Sequence, residues 1–305
     1  MNKFRILRFY IRDKKPNIMK RRHFLQYSLA GSALLGSFPF HLYAGSKKLY
    51  INDRIELGKS GIETSRMAVG TGSSGWRGSS NQTRKLGVKG LGDLLRAAYD
   101  VGVTFWDSAD QYGSHPHLKE GLKSVPRDKV TILTKTTSKT RSGVKSDLDR
   151  FSKEIGTDYL DIVLLHAVTD PDWNKNMKGA MEALSEAKEE GIIRAHGISC
   201  HSIGALETTA DEPWVDVDLA RYNPGEVMMD DNIPKVESVL TRMKKNGKGI
   251  VGMKVYGAGR LLNKKDECLS FHVNNDFIDG FTLGIETYEQ LKDIQKRLPE
   301  ASVRV

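Results

Sequence analysis

Eight short apolar runs, spaced about 30 residues apart, constrain this chain more than any other feature. They read RMAVGTG, VTFWDS, KVTILTK, LDIVLLHAV, IIRAHGIS, VDVDLARY, KGIVGMKV and FIDGFTLG. Half-exposed antiparallel strands alternate apolar and polar residues. These runs are mostly continuous, as suits strands buried on both faces. Helical periodicity fills the intervals: Leu91, Leu94, Leu95 and Ala98 fall on one helix face, as do Ala180, Ala183, Leu184 and Ala187. Ile233, Val236, Leu240 and Met243 come close to the same spacing, and a last helix is expected from Thr287, with Gln290 completing a capping box. Val69 in the first run and Phe281 in the last are 212 residues apart, which is seven intervals. Strand–helix alternation repeated eight times predicts an α/β fold, a (β/α)8 TIM barrel forming a single domain over residues 45–305. The competing architecture, an open doubly wound sheet, needs a glycine-rich turn leading from its first strand into a helix. GTGSSG at Gly70–Gly75 has the glycines, but no helical pattern opens there, and it reads as a loop.

Charge separates the barrel from what precedes it. Residues 1–44 hold nine Lys/Arg against Asp13 alone, a net of +8, so residues 45–305 carry only +1 of the formal +9. A nearly neutral folded part removes the electrostatic support for a nucleic-acid partner. From Met19 the chain reads as an export signal: Lys20, Arg21 and Arg22, then an uncharged stretch from His23 to Ala44 rich in Leu, Ala, Gly and Ser. Its apolar heart is too short for a good spanning helix, so the mature protein is expected to have no stable membrane insertion. Residues 19–44 with RRHFL resemble the twin-arginine type, whose export machinery carries folded proteins, which implies a periplasmic or otherwise exported product. Ala44 and Gly45 are candidate cleavage residues, residues 1–18 read as upstream of the signal, and an uncleaved anchor or basic tail is the alternative. The two cysteines, Cys200 and Cys268, exclude a disulfide-stapled scaffold and a four-cysteine zinc site, and are expected to be free thiols.

A barrel of this type presents its chemistry at the C-terminal ends of its strands. The second run ends in Asp107, with Tyr112 in the following loop. The third ends in Lys135 and the fourth in His166. Neighbouring strands lie about 4.8 Å apart, so these four groups can converge. An ammonium at the end of an apolar strand needs a partner, which Asp107 can supply. A phenol beside that ammonium is expected to have its pKa pulled below about 10, so that Tyr112 can exchange a proton with a carbonyl or alcohol oxygen that His166 also holds.

These residues resemble the aldo-keto reductase superfamily. The resemblance lies in WDSADQYG at Trp106–Gly113, Lys135 in ILTKT and His166 in VLLHAV, and extends over residues 50–298 through ELGKSGIETSRMAVGTG, HGISCHS, Gly249–Leu262 and FTLGIETYEQL. It implies a catalytic tetrad of Asp107, Tyr112, Lys135 and His166, with Tyr112 as acid/base. The implied reaction is a hydride transfer between NADP(H) or NAD(H) and a small-molecule aldehyde, ketone or alcohol. It also implies cofactor contacts at Ser199, Cys200, Met253, Lys254, Gly284, Glu286 and Gln290. Three departures stand out. Cys200 occupies the place of an Asn that usually holds the nicotinamide carboxamide, and Leu219 that of a Gln, leaving His201 or Asn223 as substitutes. Met253 stands where an aromatic usually stacks on the nicotinamide. Only 31 residues separate Met253 from Gly284, so the substrate loops are expected to be trimmed.

The family usually holds the 2′-phosphate of NADPH with basic residues after the last strand. Here Gly284–Gln290 contains Glu286 and Glu289 and no Lys or Arg. The resemblance therefore implies weaker discrimination for NADPH than is usual, with NADH accepted within about tenfold. Two other function classes fit the same barrel. A cofactor-binding scaffold with weak turnover is favoured by the missing carboxamide grips. A metal-dependent hydrolase would use His115, His117 and His166, although the HxH pair lies in or past the Tyr112 loop and also reads as a polar turn without metal.

Overall fold

The computed structural model describes residues 48–303. The segment 1–44, read from sequence as an export signal, lies outside the described residues. A short hairpin comes first, β1 (Arg54–Glu56) against β2 (Glu63–Ser65). Leu57 and Ile62 at its turn are fully buried with Ala68, Phe105, Leu133 and Ile162. They thus belong to the apolar interior of the barrel that follows. Burying each such side chain contributes roughly 1.5–3 kcal/mol.

Eight parallel strands then close on themselves: β3 (Met67–Gly70), β4 (Phe105–Asp107), β5 (Thr131–Thr136), β6 (Leu160–Val168), β7 (Ile193–Cys200), β8 (Val217–Arg221), β9 (Gly249–Met253) and β10 (Gly280–Gly284). They pair in chain order, and β10 returns to β3 through Phe281–Met67 and Leu283–Val69. Each of the eight apolar runs supplies one strand. The strands are buried on both faces because one face fills the barrel and the other meets the helices. In β5, Leu133 lies with the barrel interior, whereas Ile132 belongs to the outer layer.

The helices are α1 (Asn81–Asp100), α2 (His115–Leu122), α3 (Arg141–Ile155), α4 (Trp173–Asn176), α5 (Lys178–Glu189), α6 (Ile203–Asp211), α7 (Ile233–Lys245), α8 (Lys265–Val273) and α9 (Tyr288–Ala301). Leu91, Leu94, Leu95 and Ala98 of α1 are buried, as are the four periodic residues of α5. In α7, Val236, Leu240 and Met243 are buried with Val239, while Ile233 is only half-buried at the first turn. Ser80, Thr140, Ser202, Asn232 and Thr287 each cap a helix through the side-chain oxygen. The capping box expected at Thr287 forms only in part. Thr287 accepts from Gln290 N at 3.3 Å, but Gln290 Oε1 accepts from Glu286 N at 2.7 Å instead of reaching back to Thr287. Of the stretch Gly70–Gly75, expected to be a loop, Gly70 closes β3 and only Thr71–Gly75 is a loop, with α1 beginning after it. Among the described residues no helix is long and apolar enough to cross a membrane.

Candidate active site

Four side chains meet above the C-terminal ends of β4, β5 and β6. Lys135 has no solvent exposure, and its ammonium donates to Asp107 Oδ1 and, at 2.7 Å, to the carbonyl of Ser108. Asp107 Oδ2 accepts from Thr282 Oγ1 on β10 at 2.8 Å. The carboxylate is therefore held from both sides, and the buried ion pair keeps further hydrogen bonds, without which burying two charges would be costly. Tyr112 ends a 3-10 turn (Asp110–Tyr112). Its ring lies 4.9 Å from the Lys135 ammonium and its hydroxyl 3.4 Å from His166 Nε2. His166 does not end its strand. β6 continues to Val168 past a register shift, with Ala167 at a φ of +54°, and His166 stands before this bulge. Bulges of this kind re-aim side chains beside active sites.

The electrostatics correct one sequence expectation. The Tyr112 phenol is held above its ordinary pKa: burial disfavours the phenolate more than the Lys135 ammonium favours it, and Asp107 adds to the upward push. Burial alone would lower Lys135, but Asp107 and Tyr112 together raise it, so it stays charged. His166 is driven down to about 2, first by burial and then by Lys135, His201 and Lys254, so its imidazole is neutral.

The glycine loop supports this site in a way the sequence reading missed. An added Cβ at Gly72 or at Gly75 would lie well inside 3.0 Å of the Tyr112 ring, so only glycine lets the loop pack against the phenol. A chain of hydroxyls fixes the loops beneath it. Thr71 Oγ1 donates to the Asp107 carbonyl at 2.9 Å and meets Ser114 Oγ at 2.8 Å, which meets Ser108 Oγ at 2.7 Å.

A second polar cluster lies on the outer side of β5. Arg150 on α3 reaches Asp110 at 2.6 Å, Asp147 at 2.8 Å and Glu154 at 3.2 Å. His115 bridges Glu154 (2.8 Å) to Thr134 Oγ1 (2.7 Å), and Asp147 accepts from Thr136 Oγ1 at 2.5 Å. Thr134 and Thr136 flank Lys135, and Asp110 opens the turn that carries Tyr112. The cluster thus ties both to one helix. Asp110, His115 and Glu154 are, among the described residues, the one acid–imidazole group compact enough to share a metal ion. The Arg150 guanidinium already pairs with both acids. His115, His117 and His166 do not converge, so the metal-hydrolase arrangement is not formed.

A cleft of about 450 Å³ opens beside the tetrad. Tyr112, Asp107, Leu219, Met253 and Lys254 line its inner end, and Ser73, Asn81, Gly284, Glu286 and Gln290 its outer end. Of the residues expected to contact a nicotinamide dinucleotide, Met253, Lys254, Gly284, Glu286 and Gln290 therefore face it. Ser199 Oγ is buried without a hydrogen-bond partner. Strand alternation sets it on the barrel side, opposite Ile198 and Cys200, which belong to the outer layer. An orphaned hydroxyl fits a carboxamide. Cys200 does not face the cleft: its Sγ meets Thr209 Oγ1 of α6 at 3.2 Å, and burial pushes the thiol well up. Asn223 is also excluded as a grip, because its side chain accepts from Gly225 N and Val227 N and donates to Val227 O. His201 stays near, its ring centroid 6.4 Å from that of His166. Both cysteines are free and buried.

Two further charged residues, each paired with an acid, escaped sequence reading. Lys85 on α1 pairs with Glu286 at 2.5 Å, so a cation does reach the segment after β10. Arg221 at the end of β8 pairs with the buried Asp230, its Nε at 3.0 Å.

The aldo/keto reductase family model matches residues 66–304. The chain belongs to the aldo/keto reductase family. A D-threo-aldose 1-dehydrogenase of a Pseudomonas species is 24% identical over 201 residues, covering 55% of this chain and 60% of that protein. An NADH-specific methylglyoxal reductase of Escherichia coli is 25% identical over 197 residues, covering 56% and 59%. The match thus spans about six tenths of the length of these curated relatives. Among solved structures, an aldo-keto reductase from Bacillus halodurans in its holo form superposes with a TM-score of 0.67 at 16% identity, over 83% of this chain and 91% of that one. This likeness shows the barrel fold.

Proposed function

We propose that this member of the aldo/keto reductase family is an NAD(P)(H)-dependent oxidoreductase that interconverts a carbonyl and an alcohol. The observation that carries the reading is the convergence of Tyr112, Lys135, Asp107 and His166 at the end of a cleft that Tyr112 and Asp107 line, with Ser199 a buried, unpartnered hydroxyl on the barrel side of β7. The dinucleotide, when bound, supplies or accepts a hydride at the substrate carbon. Ser199 would hold its carboxamide, Met253 and Leu219 give an apolar floor, and Gly284, Glu286 and Gln290 flank its adenosine end.

The chain's own residues manage the proton. Tyr112, protonated at neutral pH, donates to the carbonyl oxygen as it gains charge. Neutral His166 shares that oxygen and orients it. Lys135 stabilises the phenolate left behind, and Asp107 keeps Lys135 charged and in place. The intact tetrad favours an enzyme over a scaffold with weak turnover. The test is absorbance at 340 nm of NADPH or NADH with the purified protein and a panel of aldehydes and ketones. Steady oxidation of the nucleotide is expected, and binding of the nucleotide without turnover of any carbonyl would favour the scaffold.

Residues 19–44 support an export role by sequence alone. We propose that Arg21-Arg22 directs the folded, cofactor-loaded protein through the twin-arginine machinery to the periplasm. Replacing both arginines with lysine is expected to retain the precursor in the cytoplasm. Undiminished export of the double variant would show a signal of the ordinary unfolded type.

A further inference from the structure

Lys254 is a cation at the catalytic end of the cleft with no anion assigned to it. It directly follows β9, and its φ of +60° is a left-handed conformation that strains a residue with a side chain. Such strain persists where the surroundings hold it, and here the residue it presents lines the cleft with Tyr112 and Met253. Among the described residues, the Lys254 ammonium has no hydrogen bond and no ion pair; burial and the repulsion of Arg221 and Lys135 act against its charge, and the attraction of Asp107, already paired with Lys135, offsets them only in part.

The charges around it do not balance. Lys135 and Arg221 are the cations nearby, and His166 and His201 feel Lys254 as a repelling charge. The acids are already engaged: Asp107 by Lys135 and Thr282, Asp230 by Arg221. Three cations thus face two committed carboxylates around two neutral imidazoles, which leaves a net positive basin over the reacting group. A low-dielectric basin of that sign favours an anion. The groups that sense Lys254 belong to the tetrad and to the ends of β7 and β8, not to the Glu286–Gln290 end of the cleft. An anion held by Lys254 would therefore lie towards the reacting groups, where a substrate carboxylate can reach it, and not at the Glu286–Gln290 end of the cleft.

We propose that the preferred substrates are oxo acids, aldehydes or ketones carrying a carboxylate, and that Lys254 holds that carboxylate. The proposal rests on the reductase reading of the site and names its substrate class.

The test compares matched pairs with the NADPH-loaded protein: 4-oxobutanoate against butanal, and 2-oxobutanoate against butanone. In the wild type, kcat/KM for at least one acid is expected to exceed that of its neutral partner by tenfold or more. In Lys254→Met that ratio should fall at least tenfold, mainly through KM, and Lys254→Arg should restore most of it. Equal kcat/KM within each wild-type pair, or a ratio unmoved by Lys254→Met, would overturn the proposal. So would a Lys254→Met protein that loses tenfold in NADPH affinity by fluorescence titration and keeps its acid preference, since the ammonium would then serve the diphosphate. If no carbonyl is reduced, the reductase reading fails alone. Calorimetric titration of the NADPH-loaded protein with 4-oxobutanoate then decides the site: binding weakened tenfold in Lys254→Met upholds it, and equal or absent binding overturns it.

Discussion

The Tyr112 hydroxyl lies 3.4 Å from Nε2 of His166, and neither group carries a charge at neutral pH, because burial raises the phenol and lowers the imidazole. A protonated donor and a neutral partner suit reduction, in which a proton must be given. The reverse reaction needs the phenolate. Tyr112→Phe is expected to lower kcat for carbonyl reduction about 10²–10⁴-fold while leaving cofactor affinity nearly unchanged. In the wild type, alcohol oxidation should rise with pH through the alkaline range as the raised phenol begins to ionise, and reduction should fall there. Stopped-flow rates in both directions against pH, with a cofactor titration of the variant, check this.

Gly72→Ala should act on the same phenol from behind. Its methyl group would overlap the Tyr112 ring, which must then shift relative to His166 and Lys135. A misplacement of about 1 Å can cost on the order of 100-fold in rate. The expected outcome is a folded protein with kcat reduced about 10–100-fold, read by turnover and by circular dichroism.

Arg150 lies outside the cleft, yet it ties Asp110 to α3 at 2.6 Å. It is a positioning residue for the turn ending in Tyr112. Arg150→Met is expected to lower kcat several-fold with KM nearly constant, and Arg150→Lys to recover only part of that, since one ammonium cannot reach three carboxylates in a planar fork. A kcat–KM comparison of the two variants separates this from a general loss of stability.

Glu286 opposes a 2′-phosphate, and Lys85 offsets it. Removing the carboxylate in Glu286→Gln frees Lys85 for the phosphate. NADPH affinity should then rise relative to NADH by about tenfold, which is 1.4 kcal/mol. Lys85→Met should shift the preference the other way. Titration of both nucleotides at one ionic strength reads the two effects, and both should shrink at high salt because the pair is exposed.

His272 is buried with neither ring nitrogen hydrogen-bonded, among Tyr222 and Phe281, and burial lowers it to about 3. The unfolded chain binds its proton near pH 6.5, whereas the folded chain does not bind it until far lower. Stability is therefore full above about pH 6.5 and falls as pH drops towards 3, by up to about 1.4 kcal/mol per pH unit for this residue. His272→Leu should remove one proton from that slope and improve stability in mild acid. Urea melts of the wild type and the variant from pH 4 to 7 measure the difference.

The eightfold strand–helix rhythm and the convergence of Asp107, Tyr112, Lys135 and His166 were legible in the sequence because both are written locally. A strand buried on both faces must be apolar throughout, and a polar residue at its C-terminal end has one place to go, the mouth of the barrel. Alternation along β7 also carried a signal that was not used: with Ser199 facing inward, Cys200 must face the helices, and it does so against Thr209. Other features were decided by contacts between distant segments, which no local pattern encodes. Lys85 meets Glu286 across the closure of the barrel. Thr282 on the last strand holds the carboxylate of the second barrel strand. Arg150 finds Asp110 only because α3 packs beside the Tyr112 turn. The direction of the Tyr112 pKa belongs to this second kind. Residue identities place an ammonium beside a phenol and predict a lowered value, but the sign depends on how completely both are withdrawn from water, and the folded barrel withdraws them enough for desolvation to outweigh the attraction.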